Sequence, residues 1–362
     1  LRNVLFDMGL LKSRSYAVPV IGVGNITVGG TGKTPHTEYL IRLLQAHGYR
    51  VAVLSRGYRR KSKGYVLANE DTPMEQIGDE PWQMKHKFPS LIVAVCADRR
   101  EGIRRLTADE ETHDVDVIML DDAYQHRHVH PGLNILLVDS NRPLHTDRLL
   151  PAGRLREPAS GKRRADMVIV TKCPADARPI DFRVMQDQLG LQPYQRLYFS
   201  TMAYGALLPI LDTPDGERPL STLRPEEHIL LLTGIAQPQP LLRDLRRHPG
   251  NVTPLSYPDH HNFTPADAER INQAFAALPR PRLVITTEKD ASRLATLAGL
   301  SDEVRRAIYA LPVEPRLLRD MQASFNEKIL SYVHKNSRNS ILAQKPPHLP
   351  THHGHRPGHG TR

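Results

Sequence analysis

Short, nearly unbroken apolar runs recur along the chain, and each gives way to a turn-rich or helix-like stretch. They are "VPVIGVGN" (18–25), "VAVLSRG" (51–57), "LIVAVC" (91–96), "VDVIMLDDA" (115–123), "LNILLVD" (133–139) and "ADMVIVTK" (165–172). Continuous apolar strands alternating with helices need cover on both faces, which predicts a parallel sheet wrapped by helices on each side. Residues 1–200 therefore read as one doubly wound α/β domain. From about Leu197 the pattern resets, and "HILLLTGIA" (228–236), "NVTPLSYPDHHNF" (251–263) and "RLVITTEKDASRL" (282–294) predict a second, smaller α/β domain over 201–335. The final stretch, 336–362, ends in "KPPHLPTHHGHRPGHGTR" and lacks any apolar period, so a disordered tail is expected there.

Length and composition narrow the class. A chain of 362 residues buries a sizeable core and divides naturally in two. No run reaches the roughly 18 to 20 apolar residues of a membrane span, and no cleavable signal sequence is expected. The opening "LRNVLFDMGLLKSRSY" mixes apolar and basic residues; it predicts a helix packed on its own domain or, alternatively, the end of an interfacial amphipathic helix. The formal charge of +10, with basic groups such as "RGYRRKSK" (56–63) and "GKRR" (161–164), favours polyanions, acidic headgroups or phosphorylated substrates without choosing among them. Nucleic acid is not an expected partner, because no aromatic-rich reader motif accompanies the charge. Two cysteines, Cys96 and Cys173, sit in unrelated apolar runs, which excludes a disulfide framework or zinc knuckle and fits a reducing, cytosolic setting.

The segment "GNITVGGTGKTP" lies between a predicted strand and a helix expected to start near Pro35. Glycines let successive N–H groups turn inward, the helix N-terminus adds partial positive charge, and Lys33 supplies a point charge for the β- and γ-phosphates. Thr27, Val28, Gly29, Gly30, Thr31, Gly32, Lys33 and Thr34 form the expected nucleotide cradle, with the Thr34 hydroxyl available to Mg²⁺. The first glycine of G-x-x-x-x-G-K-[ST] is replaced by Thr27. A P-loop needs an acidic partner at a neighbouring strand end, and "VIMLDDAYQH" places Asp121 and Asp122 there.

Other polar clusters are more ambiguous. "IGDEP" (77–81) sets Asp79 and Glu80 beside a proline, where a helix N-cap is the ordinary reading. "ADRR" (97–100) carries Asp98 and Arg99 to the ligand edge of the sheet, and "YPDHHNF" offers Asp259, His260 and His261 without metal-site spacing.

Taken in order, "VGNITVGGTGKTP", "SRGYRRKSKG", "GDEP", "DRR", "LDDAYQH", "LLPAGRLREP", "VTKCP", "LTGIAQP", "PDHHNF" and "TTEKD" resemble the tetraacyldisaccharide 4'-kinase family over most of residues 1–335. Ala123 and Tyr124 stand where that family commonly has Gly and Phe. The resemblance implies a P-loop NTPase-like kinase that uses ATP and Mg²⁺ to phosphorylate the 4'-hydroxyl of an acylated glucosamine disaccharide 1-phosphate, giving the lipid A precursor lipid IVA. It further implies a peripheral enzyme on the cytoplasmic face of the bacterial inner membrane, expected here as a monomer. By the same resemblance Asp79 is the base, His260 its partner and Glu80 a metal or substrate support. Arg56 and Arg99 are candidates for phosphate contacts, and Asp98 is the rival base.

Two alternatives carry different chemistry. A nucleotide-switch metallochaperone would use the tail histidines His348, His352, His353, His355 and His359, but "VTKCPAD" has Pro174 where a guanine-reading motif needs Asp. A kinase of another small metabolite would share the P-loop and differ only in its acceptor pocket.

Overall fold

The structure is a computed structural model, and it describes residues 2–214, 216–259 and 261–337. In chain order the first elements are α1 (Arg2–Asp7), β1 (Val20–Gly24), α2 (Lys33–Ala46), β2 (Val51–Ser55), β3 (Val66–Ala68), α3 (Met74–Ile77), α4 (Asp79–Lys87) and β4 (Ile92–Val95). There follow α5 (Arg99–Ala108), β5 (Val117–Asp121), β6 (Leu133–Asp139), β7 (Met167–Thr171), α6 (Pro179–Leu189) and β8 (Arg196–Tyr204). The remainder comprises β9 (Leu208–Pro209), β10 (His228–Thr233), α7 (Gln239–Leu245), β11 (Asn251–Ser256), α8 (Pro265–Ala276), β12 (Arg282–Thr287) and α9 (Glu288–Leu294). The last elements are α10 (Asp302–Arg306), β13 (Ile308–Leu311), β14 (Val313–Leu317) and α11 (Gln322–Asn336).

The larger sheet has nine strands in the order β14-β8-β7-β6-β1-β5-β2-β4-β3. Every neighbouring pair from β8 to β4 is parallel, and only the edge strands β14 and β3 run antiparallel to their partners. Alternation along each strand feeds two separate cores: Ile21, Val51 and Val53 pack with Leu40, Ile41 and Leu44 of α2, while Val20, Ala52 and Leu54 pack with Ile103 and Leu106 of α5. This is the doubly wound arrangement that the continuous apolar runs predict. Strand β1 lies between β5 and β6, so the strand order reverses on either side of it, and the crevice beyond its C-terminal end is where such sheets bind ligands.

The smaller sheet, β11-β10-β12-β13-β9, is parallel except for β9. Its extent corrects the expectation for residues 201–335 at both ends. β8 continues in the large sheet as far as Tyr204, and after β13 the chain returns: β14 pairs with β8 from Val313↔Tyr204 to Leu317↔Ser200. α11 then buries Phe325, Ile329 and Val333 in the large core, with Phe325 edge-on to Tyr198 at 5.0 Å. The i, i+4, i+8 spacing of those three side chains gives one apolar stripe, and burying each stabilises by roughly 1.5–3 kcal/mol, which is why the helix docks on the large sheet. The expected tail begins later than anticipated, since α11 includes Asn336 and Ser337 is buried; residues 338–362, with the five tail histidines, lie outside the described residues.

Candidate active site

The loop from Asn25 to Gly32 leaves the C-terminal end of β1 at the strand-order reversal. Gly29 and Gly32 have φ of +96° and +83°, the left-handed region that an L side chain rarely adopts. Thr27 differs from the usual glycine because its backbone is in a bridge, antiparallel to Leu155. That bridge is flanked by Val28 N–H donating to the Arg154 carbonyl and Arg156 N–H to the Ile26 carbonyl, each at 2.8 Å. An extended position needs no glycine, and Thr27 is 4% exposed. The helix starts at Lys33, two residues before the expected point; Pro35 sits in its first turn, where a missing N–H breaks no helical hydrogen bond.

Two carboxylates close the opposite wall. Asp121 ends β5 and is 7% exposed, and Asp122 follows with φ +46°. Lys33 Nζ lies 3.6 Å from Asp122 Oδ1, and Arg156 Nη1 donates to Asp122 Oδ2 at 3.1 Å. Burial pushes the Asp122 carboxyl up, but Lys33 and Arg156 more than offset it and hold the group below its ordinary value. Asp121 is the reverse case: burial, with Asp122 and Glu80 adding repulsion, pushes its carboxyl up to about 7. Arg156 was not singled out in the sequence, although it lies within "LLPAGRLREP".

Arg99 requires a correction. It is 2% exposed, and its guanidinium donates to the carbonyls of Cys96 at 3.0 Å, Ala97 at 3.3 Å and Asp121 at 3.4 Å. The side chain ties the ends of β4 and β5 together and is not presented to a substrate phosphate. Arg56, just after β2, is exposed and has no hydrogen-bond or ion-pair partner among the described residues. Asp98, the rival base, is the N-cap of α5 and is held by the Arg100 backbone and guanidinium, which bring its carboxyl down to about 2.

Asp79 is not the N-cap of α4; Gly78 occupies that position, with φ +91°, and Asp79 is the first helical residue. Its carboxylate accepts from Arg293 Nη2 of α9, on the smaller sheet. Arg293 is itself backed by Asp290, whose Oδ1 lies 3.5 Å from Nη1 and whose Oδ2 accepts from Gly234 N–H and Thr287 Oγ1, both at 2.8 Å. At the other end of α4, Lys87 Nζ lies 2.7 Å from Glu38 of α2 and 2.5 Å from Glu288 of α9. α4 and α9 are thus fastened at both ends, and the first turn of α4 faces the smaller sheet. Glu80 beside Asp79 has no hydrogen-bond or ion-pair partner among the described residues, and it is close enough to Asp121 to raise that carboxyl. In the "PDHH" cluster Asp259 pairs with Lys289 at 2.9 Å, and His261 meets Asp267 at 2.9 Å; His260 lies outside the described residues.

The donor set suits a hard cation. Asp121 is a buried carboxylate whose charged form is opposed by its surroundings, Asp122 follows it, and Thr34 is the second residue of α2. Among the described residues no group of three or more His, Cys, Asp or Glu side chains is placed to hold a metal ion.

Comparison with known proteins agrees with this geometry. The family model described as tetraacyldisaccharide-1-P 4'-kinase matches residues 1–334. A tetraacyldisaccharide 4'-kinase of Phocaeicola vulgatus is 54% identical over 341 residues, covering 94% of this chain and 93% of its own. One from Bacteroides fragilis is 51% identical over 350 residues, covering 95% and 92%. Among solved structures, the one described as the "apo" form of LpxK from Aquifex aeolicus in complex with ATP superposes with a TM-score of 0.69 at 30% identity, covering 92% of this chain and 93% of that one. With its P-loop at the sheet's reversal point, its paired aspartates and a family match along nearly its whole described length, the chain belongs to the tetraacyldisaccharide-1-P 4'-kinase family.

Proposed function

We propose that the protein transfers the γ-phosphoryl group of ATP to the 4'-hydroxyl of a tetraacylated disaccharide 1-phosphate, forming lipid IVA in lipid A biosynthesis. The observation that carries this reading is the meeting of Lys33 with Asp122 beside the buried Asp121, within a chain matched by the kinase family over residues 1–334. The cradle of residues 27–34 binds the ATP phosphates, and Thr34, Asp121 and Asp122 would hold Mg²⁺, which would supply neutralisation of phosphate charge. Lys33 stabilises the charge that builds on the transferred group.

Asp79 accepts the proton as the sugar oxygen bonds to the γ-phosphorus and the bond from phosphorus to the β-phosphate oxygen breaks. Its place at the head of α4, next to the Glu80 that perturbs Asp121, supports this role. Glu80 supports metal or substrate, Arg56 contacts substrate phosphate, and His260, which lies outside the described residues, is the partner of Asp79. Arg99 acts through Asp121, by holding the β5 end.

We place the enzyme as a monomer at the cytoplasmic face of the inner membrane. In support, Val4, Met8 and Leu10 are exposed beside the basic Lys12 and Arg14. Incubation of the full chain with γ-labelled ATP and the disaccharide 1-phosphate in detergent should yield a labelled bis-phosphorylated lipid. Absence of that product, or turnover with GTP alone, overturns the reading.

A further inference from the structure

Three successive carbonyls of the phosphate loop are each held from outside the loop. The Gly30 carbonyl accepts from Lys172 Nζ, the Thr31 carbonyl from Thr171 Oγ1 at 2.9 Å, and the Gly32 carbonyl from His36 Nδ1 at 2.7 Å. The three donors come from the end of β7, the residue after it, and the first turn of α2.

Each donor is itself fixed. Lys172 Nζ also reaches Asp139 Oδ2 at 2.8 Å, and Asp139 is 3% exposed, with Oδ1 accepting from Asn141 N–H at 3.0 Å. The Lys172 backbone has φ +57°, a left-handed conformation costly for a lysine, and its carbonyl accepts from Ser140 Oγ at 2.8 Å. Thr171 is fully buried and bonds also to the Val138 carbonyl at 3.3 Å. The His36 ring lies between Gly32 and Ser200 Oγ, the latter 2.9 Å from Nε2. A carbonyl only accepts, so Nδ1 carries the hydrogen and Nε2 accepts from the Ser200 hydroxyl.

The C=O and N–H of one peptide unit point in opposite directions. Carbonyls of Gly30, Thr31 and Gly32 drawn outward therefore aim the N–H groups of Thr31, Gly32 and Lys33 the other way, into the crevice at the α2 N-terminus, where an anion is favoured. A loop this rich in glycine has much conformational freedom to lose when it closes on phosphate. Fastening its outer side in the free protein removes part of that cost from binding.

We propose that Lys172, together with Thr171 and His36, is a positioning residue for the nucleotide phosphates, preorganising the loop by holding its carbonyls rather than by touching ATP. The inference rests on the nucleotide site and is independent of which carboxylate serves as base.

The test combines amide hydrogen exchange over residues 25–34 in the nucleotide-free full chain with calorimetric titration of ATP. Lys172→Met should speed exchange of the loop and weaken ATP binding about tenfold, the factor expected for one charge-assisted hydrogen bond, with the KM for the lipid acceptor unchanged. Lys172→Arg, which keeps a donor, should recover part of both. Thr171→Val conserves shape and breaks only hydroxyl bonds, so it decides the matter if Lys172→Met does not fold; it should move both readouts in the same direction. Weakened ATP binding with unaltered loop exchange means that Lys172 contacts phosphate directly and overturns the proposal, as do unchanged values of both in either variant. Failure of the wild-type chain to bind ATP would instead refute the kinase reading, while the exchange data still report on the loop.

Discussion

Asp79 and Arg293, 214 residues apart in sequence, form an ion pair between the first turn of α4 and the last turn of α9, joining the two sheets at the edge of the nucleotide crevice. Arg293 is 6% exposed as a side chain and Asp79 32%, so the pair is partly shielded from water. The carboxylate assigned as base is therefore oriented by a residue of the other sheet.

Replacing the carboxylate separates its chemistry from its packing. Asp79→Asn keeps shape and hydrogen-bonding capacity but cannot take a proton, and it should lower turnover at saturating ATP by about 10²-fold or more, the range of general-base effects. Steady-state assay of the bis-phosphorylated lipid gives the answer; near-normal turnover moves the base to another residue.

Arg293→Met removes a partner of Asp79 and takes from Asp290, fully buried, the cation 3.5 Å from its Oδ1. Thermal unfolding should show a loss on the order of 1–3 kcal/mol, below that of a fully buried pair because Asp79 is partly solvated. A double-mutant cycle with Asp79→Asn should show coupling between the two sites. Strict additivity would mean that the pair does not bind the sheets together.

Asp121 couples the site to pH. Its carboxyl, pushed up from 3.8 to about 7, binds its proton more tightly in the native chain than in the unfolded one. The group therefore weakens the fold as pH rises from about 4 to about 7, fully above that window and not at all below it. In nucleotide-free protein, Asp121→Asn should flatten this part of the stability profile and raise the melting temperature at pH 8, while turnover collapses. A variant less stable than wild type at pH 8 contradicts the assignment.

Lys33→Met removes the charge facing Asp122 and the group proposed to stabilise the transferred phosphoryl. Turnover should fall about 10²-fold or more. Wild-type-like rates would exclude the phosphate-loop mechanism.

Met8 and Leu10, 67% and 66% exposed, test the membrane assignment. Met8→Asp with Leu10→Asp should reduce co-sedimentation with vesicles containing anionic lipid and leave ATP binding intact. Equal sedimentation of variant and wild type places the contact elsewhere.

The parts legible in the sequence are those that local chemistry dictates. Apolar runs such as 115–123 and 133–139 read as buried strands, and glycines followed by Lys33 and Thr34 read as an anion cradle at a helix start. Asp121 and Asp122 were visible because a strand end places them. Arg156 lay in a quoted motif yet had no role there, because nothing local shows that its backbone pairs with the loop at Ile26 or that its guanidinium meets Asp122. Arg99 was misread for the same reason: exposure is a property of packing, and its burial follows from how β4 and β5 end.

Sequence alone determined the doubly wound class and pointed to a phosphate loop with acidic partners, since hydrophobic period, turn geometry and charge act over a few residues. Tertiary structure alone decided that β14 and α11 return to the large sheet, that Arg293 meets Asp79, and that Lys172 holds Gly30 from 142 residues away. Such contacts arise only when separate apolar faces pack and bring distant polar groups together, and each buried group then takes the partner that packing leaves within reach.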